Sequence, residues 1–96
     1  MALKDRYDFD ALVNEAERLV LAELEVQLRR TPGVCACQEC VLDMAAYALN
    51  KVRPSYRVSL LGSVYAKSAD RVSYEKEISA AVSEAVQRVK ANPSHD

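Results

Sequence analysis

Three runs of apolar residues at three- and four-residue steps constrain the fold more than any other feature of this sequence. Two breaks, Thr31-Pro32-Gly33 and Arg53-Pro54, separate the runs. The pattern predicts three amphipathic helices, each with an apolar face turned towards a common core. A chain of 96 residues can form one modest core but not two. We therefore expect a mainly α, single-domain protein over residues 1–96, with residues 1–8 and 93–96 as frayed ends.

The first helix is expected to begin at an N-cap, Asp8 or Asp10, and to end near Arg29 or Arg30. Two apolar residues, Leu21 and Val26, lie off its main stripe and favour a second buried face. A second face would suit a helical homodimer, which also helps a small chain to complete its core. The main stripe consists of Leu12, Val13, Ala16, Leu19, Val20, Leu24 and Leu28.

The second helix is expected from about Gln38 to Lys51, because proline disfavours the helical conformation in the residue before it. The segment 54–56 should then be extended, and 57–71 should be mixed, with a bend at Gly62. The last helix is expected to start at an N-cap, Ser73, and to end at Asn92-Pro93. The stripes are Val41, Met44, Ala45, Ala48, Leu49 and Val52 in the second helix, and Ile78, Ala81, Val82, Ala85, Val86 and Val89 in the last.

Composition and charge exclude several classes of protein. The net charge of −1 offers no general attraction to long nucleic acids or acidic membranes, and no run approaches the ~20 apolar residues of a membrane span. The N-terminal sequence has no apolar signal core, the number of cysteines is odd, and the C-x-C spacing makes a poor disulfide, so a reduced, cytoplasmic protein is expected.

Catalysis has little support in the sequence. The chain has one histidine, His95, and no glycine-rich phosphate loop, so we expect a protein that is not an enzyme.

All three cysteines, Cys35, Cys37 and Cys40, lie within six residues at the start of the second helix. Thiolates at this spacing can converge on one tetrahedral ion, which predicts a structural zinc site. The fourth ligand would be His95, Glu39 or Asp43, a water molecule, or a residue of a partner chain. Two alternatives stay open, namely close packing of small side chains without metal and a redox role for Cys37 and Cys40.

A basic segment follows the second helix. No acidic residue lies between Asp43 and Asp70, whereas the cations Lys51, Arg53, Arg57 and Lys67 alternate with tyrosines. Guanidinium and ammonium groups bind phosphate, and tyrosine rings can stack on bases, so a compact phosphorylated ligand is one interpretation. A solvated basic face with half-buried tyrosines is the other. The residues predicted to bind such a ligand are Asn50, Lys51, Arg53, Tyr56, Arg57, Tyr65 and Lys67.

The central third of the chain, CACQECVLDMAAYALNKVRPSY and a later VYAKSA, resembles the late competence protein ComFB family. The motif elements are the three cysteines, then Asp43, Ala48-Leu49-Asn50, Pro54 with Tyr56, and Tyr65-Ala66-Lys67. The flanking helices fit the family in length and placement but carry little family-specific signal.

The resemblance implies a small, mainly helical bacterial homodimer. Some family members are regarded as receptors for cyclic di-GMP or cyclic di-AMP, linked to competence, motility or surface behaviour, and some are associated with zinc at the cysteines. We therefore expect a non-catalytic cyclic dinucleotide receptor. The alternative is a zinc-stabilised module that acts through a protein partner, in competence or motility, without a nucleotide ligand. The sequence does not identify that downstream partner.

Overall fold

The structure is a computed structural model that describes residues 2–58 and 68–93, and the side chains of these except 68–70. Several sequence predictions lie outside the described residues, namely those on Gly62, Tyr65, Lys67 and His95. The described elements are α1 (Leu3–Arg6), a 3-10 turn (Phe9–Ala11), β1 (Val13–Asn14), α2 (Glu15–Arg30), α3 (Gln38–Lys51), β2 (Tyr56–Arg57) and α4 (Ser68–Ala91).

Three helices form the core. Helix α4 packs against both α2 and α3, and these two helices also contact each other. The predicted mainly α fold is confirmed, and the predicted stripe of α4 is buried along its whole length. The largest fully buried side chains come from all three helices: Met44, Val20, Val82, Val86 and Cys40.

Helix α2 begins later than predicted. Its N-cap is Asn14, whose side chain accepts a hydrogen bond from the Ala16 amide at 3.2 Å. Asp8 caps only the preceding 3-10 turn, and Leu12 is exposed, so a first helix that starts at Asp8 or Asp10 is wrong. The physical reason is that residues 13–14 pair with a second strand, which holds them extended. The predicted end at Arg30 is confirmed.

The turn between α2 and α3 forms where the sequence predicts a break. Gly33 has a φ of 79°, a left-handed conformation that suits glycine because it has no Cβ. The Thr31 hydroxyl donates to the Gln27 carbonyl at 2.8 Å and closes the last turn of α2.

Helix α3 has the predicted bounds, and its predicted stripe is buried or half-buried. Helix α4, in contrast, begins at Ser68 and not after an N-cap at Ser73, so that prediction is wrong. No glycine or proline occurs between residues 68 and 91, so nothing in the backbone stops the helix from extending back beyond Ser73. No helix in the described part of the chain is both long and apolar enough to span a membrane.

Candidate functional site

A short antiparallel ladder fixes the basic segment to the start of α2. Strands β1 and β2 pair Val13 with Arg57 and Asn14 with Tyr56. The Glu15 amide donates to the Ser55 carbonyl at 2.7 Å, and the Ser55 amide donates to the Asn14 side chain at 2.8 Å. Asn14 therefore serves two elements, because the same side-chain oxygen caps α2 and holds the chain that leaves α3.

Arg57 lies in an ion pair with α2. Its Nε donates to Glu15 Oε2 at 2.7 Å, and Arg18 also bonds this carboxylate. The guanidinium of Arg57, followed by that of Arg18, holds the pKa of the Glu15 carboxyl below its ordinary value of 4.5. Arg57 is mostly buried in this contact, so its first role here is to join β2 to α2.

Arg53 lies in a second ion pair, with α4. Its backbone amide and its Nε donate to the two oxygens of the Glu77 carboxylate, each at 2.8 Å. The backbone amide of Arg53, helped by its side chain, holds the Glu77 pKa below its ordinary value. The Tyr74 hydroxyl donates to the Arg53 carbonyl at 2.6 Å, and burial raises the pKa of Tyr74. The guanidinium also lies over the Tyr74 ring, 5.3 Å from its centroid.

Two further cations, one from α3 and one from α4, lie over the ring of Tyr47. Lys51 Nζ lies 5.5 Å from the centre of the Tyr47 ring, and the Arg88 guanidinium lies 4.9 Å from the same centre. The Tyr47 hydroxyl donates to Glu84 of α4 at 2.8 Å. Lys51 and the neighbouring Asn50 are exposed, so both side chains are accessible from solvent.

Tyr56 points away from Arg57, because consecutive side chains of a strand lie on opposite faces. Its ring is 64% exposed, whereas Arg57 packs towards α2. The structure thus places Asn50, Lys51, Arg53 and Tyr56 on one short exposed stretch. It turns Arg57 to the other face of the ladder, and Tyr65 and Lys67 lie outside the described residues.

Sequence reasoning missed the residues that hold this segment. Glu15 and Glu77 come from α2 and α4, so a stretch that lacks acids in sequence has two carboxylates beside it in space. Asn14 was missed as a cap although asparagine is among the preferred N-cap residues. No sequence signal pairs Glu77 with Arg53, because the contact depends on how α4 packs against α3.

The three predicted metal ligands lie together. The Sγ atoms of Cys35, Cys37 and Cys40 are all within 4.8 Å of one another, and none of the three forms a disulfide. Cys37 is the N-cap of α3, where its sulfur accepts from the Cys40 amide at 3.5 Å. Cys40 is fully buried in the core, whereas Cys35 and Cys37 are half-buried.

This donor set fits a thiophilic ion such as zinc. Tetrahedral zinc with Zn–S bonds of ~2.3 Å places its sulfurs ~3.8 Å apart, which small rotations of these side chains would provide. Among the described residues, no aspartate, glutamate or histidine completes a fourth corner, so Glu39 and Asp43 do not join the cluster. The candidate metal ligands are therefore the three cysteine sulfurs of the turn before α3. An ion held by them would fix the direction in which α3 starts from this turn.

Comparisons with known proteins agree on one family. The family model described as late competence development protein ComFB matches residues 13–93. The solved structure of the late competence protein ComFB from Bacillus subtilis is similar to this chain, with a TM-score of 0.67 and 32% sequence identity. That similarity covers 86% of this chain and 92% of the Bacillus chain. A search of curated proteins found no match.

Proposed function

The chain belongs to the late competence protein ComFB family, and on that premise we propose that it is a non-catalytic bacterial regulatory protein that binds a cyclic dinucleotide. The ligand is cyclic di-GMP or cyclic di-AMP, and the protein acts in the cytoplasm. The segment from Asn50 to Tyr56 holds the ligand.

One observation carries this proposal, namely an exposed tyrosine ring in the same short segment as two exposed cations at the end of α3. Tyr56 offers a flat surface for a base, with Lys51 and Arg53 a few residues away. The pairing of Arg53 with Glu77 uses Nε and the backbone amide, and the Arg53 side chain is still 63% exposed. The terminal amino groups of Arg53 therefore lie outside that pairing and can donate to a phosphate.

The carboxylates of Glu77 and Glu15 compete with the ligand's phosphates for the arginines. Each lies next to one of the predicted phosphate-binding arginines, so an anion must compete with a negative charge. A ligand with two phosphates and two bases gains several contacts at once, whereas a simple anion gains one. This favours a cyclic dinucleotide over inorganic phosphate or sulfate.

Calorimetric titration with cyclic di-GMP and with cyclic di-AMP at physiological salt tests the proposal. We expect saturable binding of at least one of them, and much weaker binding of the linear dinucleotide with the same bases, which is less preorganised. The absence of binding by both cyclic ligands would overturn the proposal.

A second function is favoured by the cysteine cluster. Three sulfurs within 4.8 Å of one another at the start of α3 suit a zinc ion that stabilises the turn. In this function the protein is a zinc-stabilised module that acts by binding a protein partner. This function and nucleotide binding use different residues and can coexist.

Elemental analysis of protein purified without added metal tests whether zinc is bound. Affinity capture with the full chain from a bacterial lysate, compared with the Cys37→Ser variant, tests whether partner binding depends on the cluster.

A further inference from the structure

Two cysteines of the cluster occupy unequal places at the start of α3. Cys37 is the N-cap residue and is half-buried, which leaves part of the residue open to solvent. Cys40 lies three residues further on, and its side chain is fully buried in the core. An accessible sulfur next to a buried one suits thiol–disulfide exchange in two steps, because the first thiol can react with a molecule from solvent and the second can complete the bond inside the protein.

The backbone spacing of Cys37 and Cys40 is that of a disulfide. Residues three apart on a helical turn have Cα atoms ~5 Å apart, which lies within the range of about 4.4–6.8 Å that disulfides span. The Sγ atoms of the two residues are within 4.8 Å of each other, and the Cys40 amide donates to the Cys37 sulfur at 3.5 Å. Rotation of the two side chains is therefore enough to bring the sulfurs together.

Cys35 is placed differently. Its sulfur is also within 4.8 Å of the other two, but the residue lies before α3, outside the helical turn that Cys37 and Cys40 share. Its C-x-C spacing with Cys37 is poor for a disulfide. The geometry therefore favours Cys37 and Cys40 as the pair and leaves Cys35 as a thiol.

We propose that Cys37 and Cys40 form a reversible disulfide by exchange with a low-molecular-weight disulfide, and that this bond and a metal ion exclude each other at the cluster. The first part of the proposal does not require metal. The second part rests on the zinc function proposed above, because the bond removes two of the three sulfurs that would hold the ion. Metal ions bind cysteine as the thiolate, which a disulfide no longer offers. The cluster is then a metal site under redox control.

The exchange balances in two steps. The Cys37 sulfur attacks one sulfur of the small disulfide, whose sulfur–sulfur bond breaks, and the first small thiol leaves with the Cys37 proton. The Cys40 sulfur then attacks the Cys37 sulfur, which forms the internal bond and expels the second small thiol with the Cys40 proton. Two protein thiols are oxidised, and one small disulfide is reduced to two thiols.

Differential labelling of the three thiols tests the disulfide. The full chain, free of metal, is incubated with excess oxidised glutathione, and the remaining thiols are blocked with one alkylating agent. The protein is then reduced, and the thiols that appear are labelled with a second agent. We expect tandem mass spectrometry to find the second label on Cys37 and Cys40 and the first on Cys35. Dithiothreitol should restore all three thiols before labelling.

Two variants separate the steps of the exchange. Cys40→Ala should stop after the first step and keep one glutathione on Cys37 as a stable mixed disulfide. Cys35→Ser is the matched control and should form the internal bond like the unchanged chain. Circular dichroism reports whether Cys40→Ala, which removes a buried sulfur from the core, keeps its helices. If it does not, the labelling of the unchanged chain and of Cys35→Ser decides the pairing.

Zinc-loaded protein tests the exclusion. Oxidised glutathione should release the zinc to a chromogenic chelator in step with the disulfide, and the loaded chain should oxidise at least tenfold more slowly than the metal-free chain. A second label on Cys35, or three unreacted thiols in the metal-free chain, would overturn the disulfide. A bond that forms while zinc stays bound would overturn the exclusion. Protein that takes up no zinc refutes the zinc function and the exclusion together, whereas the labelling still decides the disulfide.

Discussion

Two donors of Arg53, its backbone amide and its Nε, each bind one oxygen of the Glu77 carboxylate at 2.8 Å. Through this contact α4 holds the chain at the point where it leaves α3. The same stretch is held on its other side by Asn14 of β1, so the basic segment is fixed between α2 and α4. The geometry of the proposed ligand site therefore depends on residues that do not belong to it.

Glu77→Gln is expected to lower the free energy of unfolding by about 1 kcal/mol at neutral pH, because it replaces a charge-assisted contact by a neutral one at a partly exposed site. Urea denaturation measures the change. The control is Glu25→Gln, which breaks an exposed pair between Glu25 and Arg29 within α2 and should change stability by less than ~0.5 kcal/mol. Equal effects of the two substitutions would contradict the role given to Glu77.

Asn14→Ala is expected to destabilise the protein by about 1–2 kcal/mol, since it removes the N-cap of α2 and the acceptor of the Ser55 amide together. Asn14→Asp keeps an acceptor oxygen and should retain most of the stability. Thermal unfolding followed by circular dichroism checks both.

Asp8→Ala is the matched control for Asn14, because Asp8 caps only an exposed 3-10 turn. Its melting temperature should equal that of the unchanged chain within error. A large loss in Asp8→Ala with no loss in Asn14→Ala would show that α2 begins where the sequence alone suggested.

The stability of the chain is expected to fall in acid as Glu15 and Glu77 become protonated. Both carboxyls have a pKa below 4.5 in the folded state, so their stabilisation is complete above the unfolded pKa. It is lost as the pH falls through the lower folded values. Urea midpoints between about pH 6 and pH 3 should therefore drop less steeply in the double variant Glu15→Gln, Glu77→Gln than in the unchanged chain. Parallel curves would exclude these two groups as a source of the acid sensitivity.

Local signals in the sequence predicted most of the helical core. The bounds of α3 follow from its stripe and from Pro54, and the buried stripe of α4 follows from its spacing alone. The start of α2 was predicted wrongly because Leu12 and Val13 happen to continue the apolar stripe of the helix that includes Ala16. That Val13 is in an extended conformation follows only from its pairing with Arg57, which the sequence does not reveal. Likewise the cations of the basic segment were found in sequence, but their carboxylate partners, Glu15 and Glu77, depend on tertiary packing.

Metal removal is expected to destabilise the turn before α3. Purified protein should contain about one zinc ion per chain, and a strong chelator should lower the melting temperature by several degrees. Cys37→Ser should reduce the metal content and abolish the response to the chelator. If the purified protein holds no metal and Cys37→Ser leaves the melting temperature unchanged, the cluster is neither a set of metal ligands nor critical to packing.

The central claim is that the exposed segment at the end of α3 binds a cyclic dinucleotide, and calorimetry on a pair of tyrosine variants tests it most directly. Tyr56→Ala should weaken binding of the preferred cyclic dinucleotide by roughly 5- to 150-fold, because base stacking on an aromatic ring contributes ~1–3 kcal/mol. Tyr7→Ala, which removes a comparably exposed ring that follows α1 and lies outside the proposed site, should bind like the unchanged chain. Equal affinities of the two variants, or no heat from either cyclic di-GMP or cyclic di-AMP with the unchanged chain, would contradict the claim.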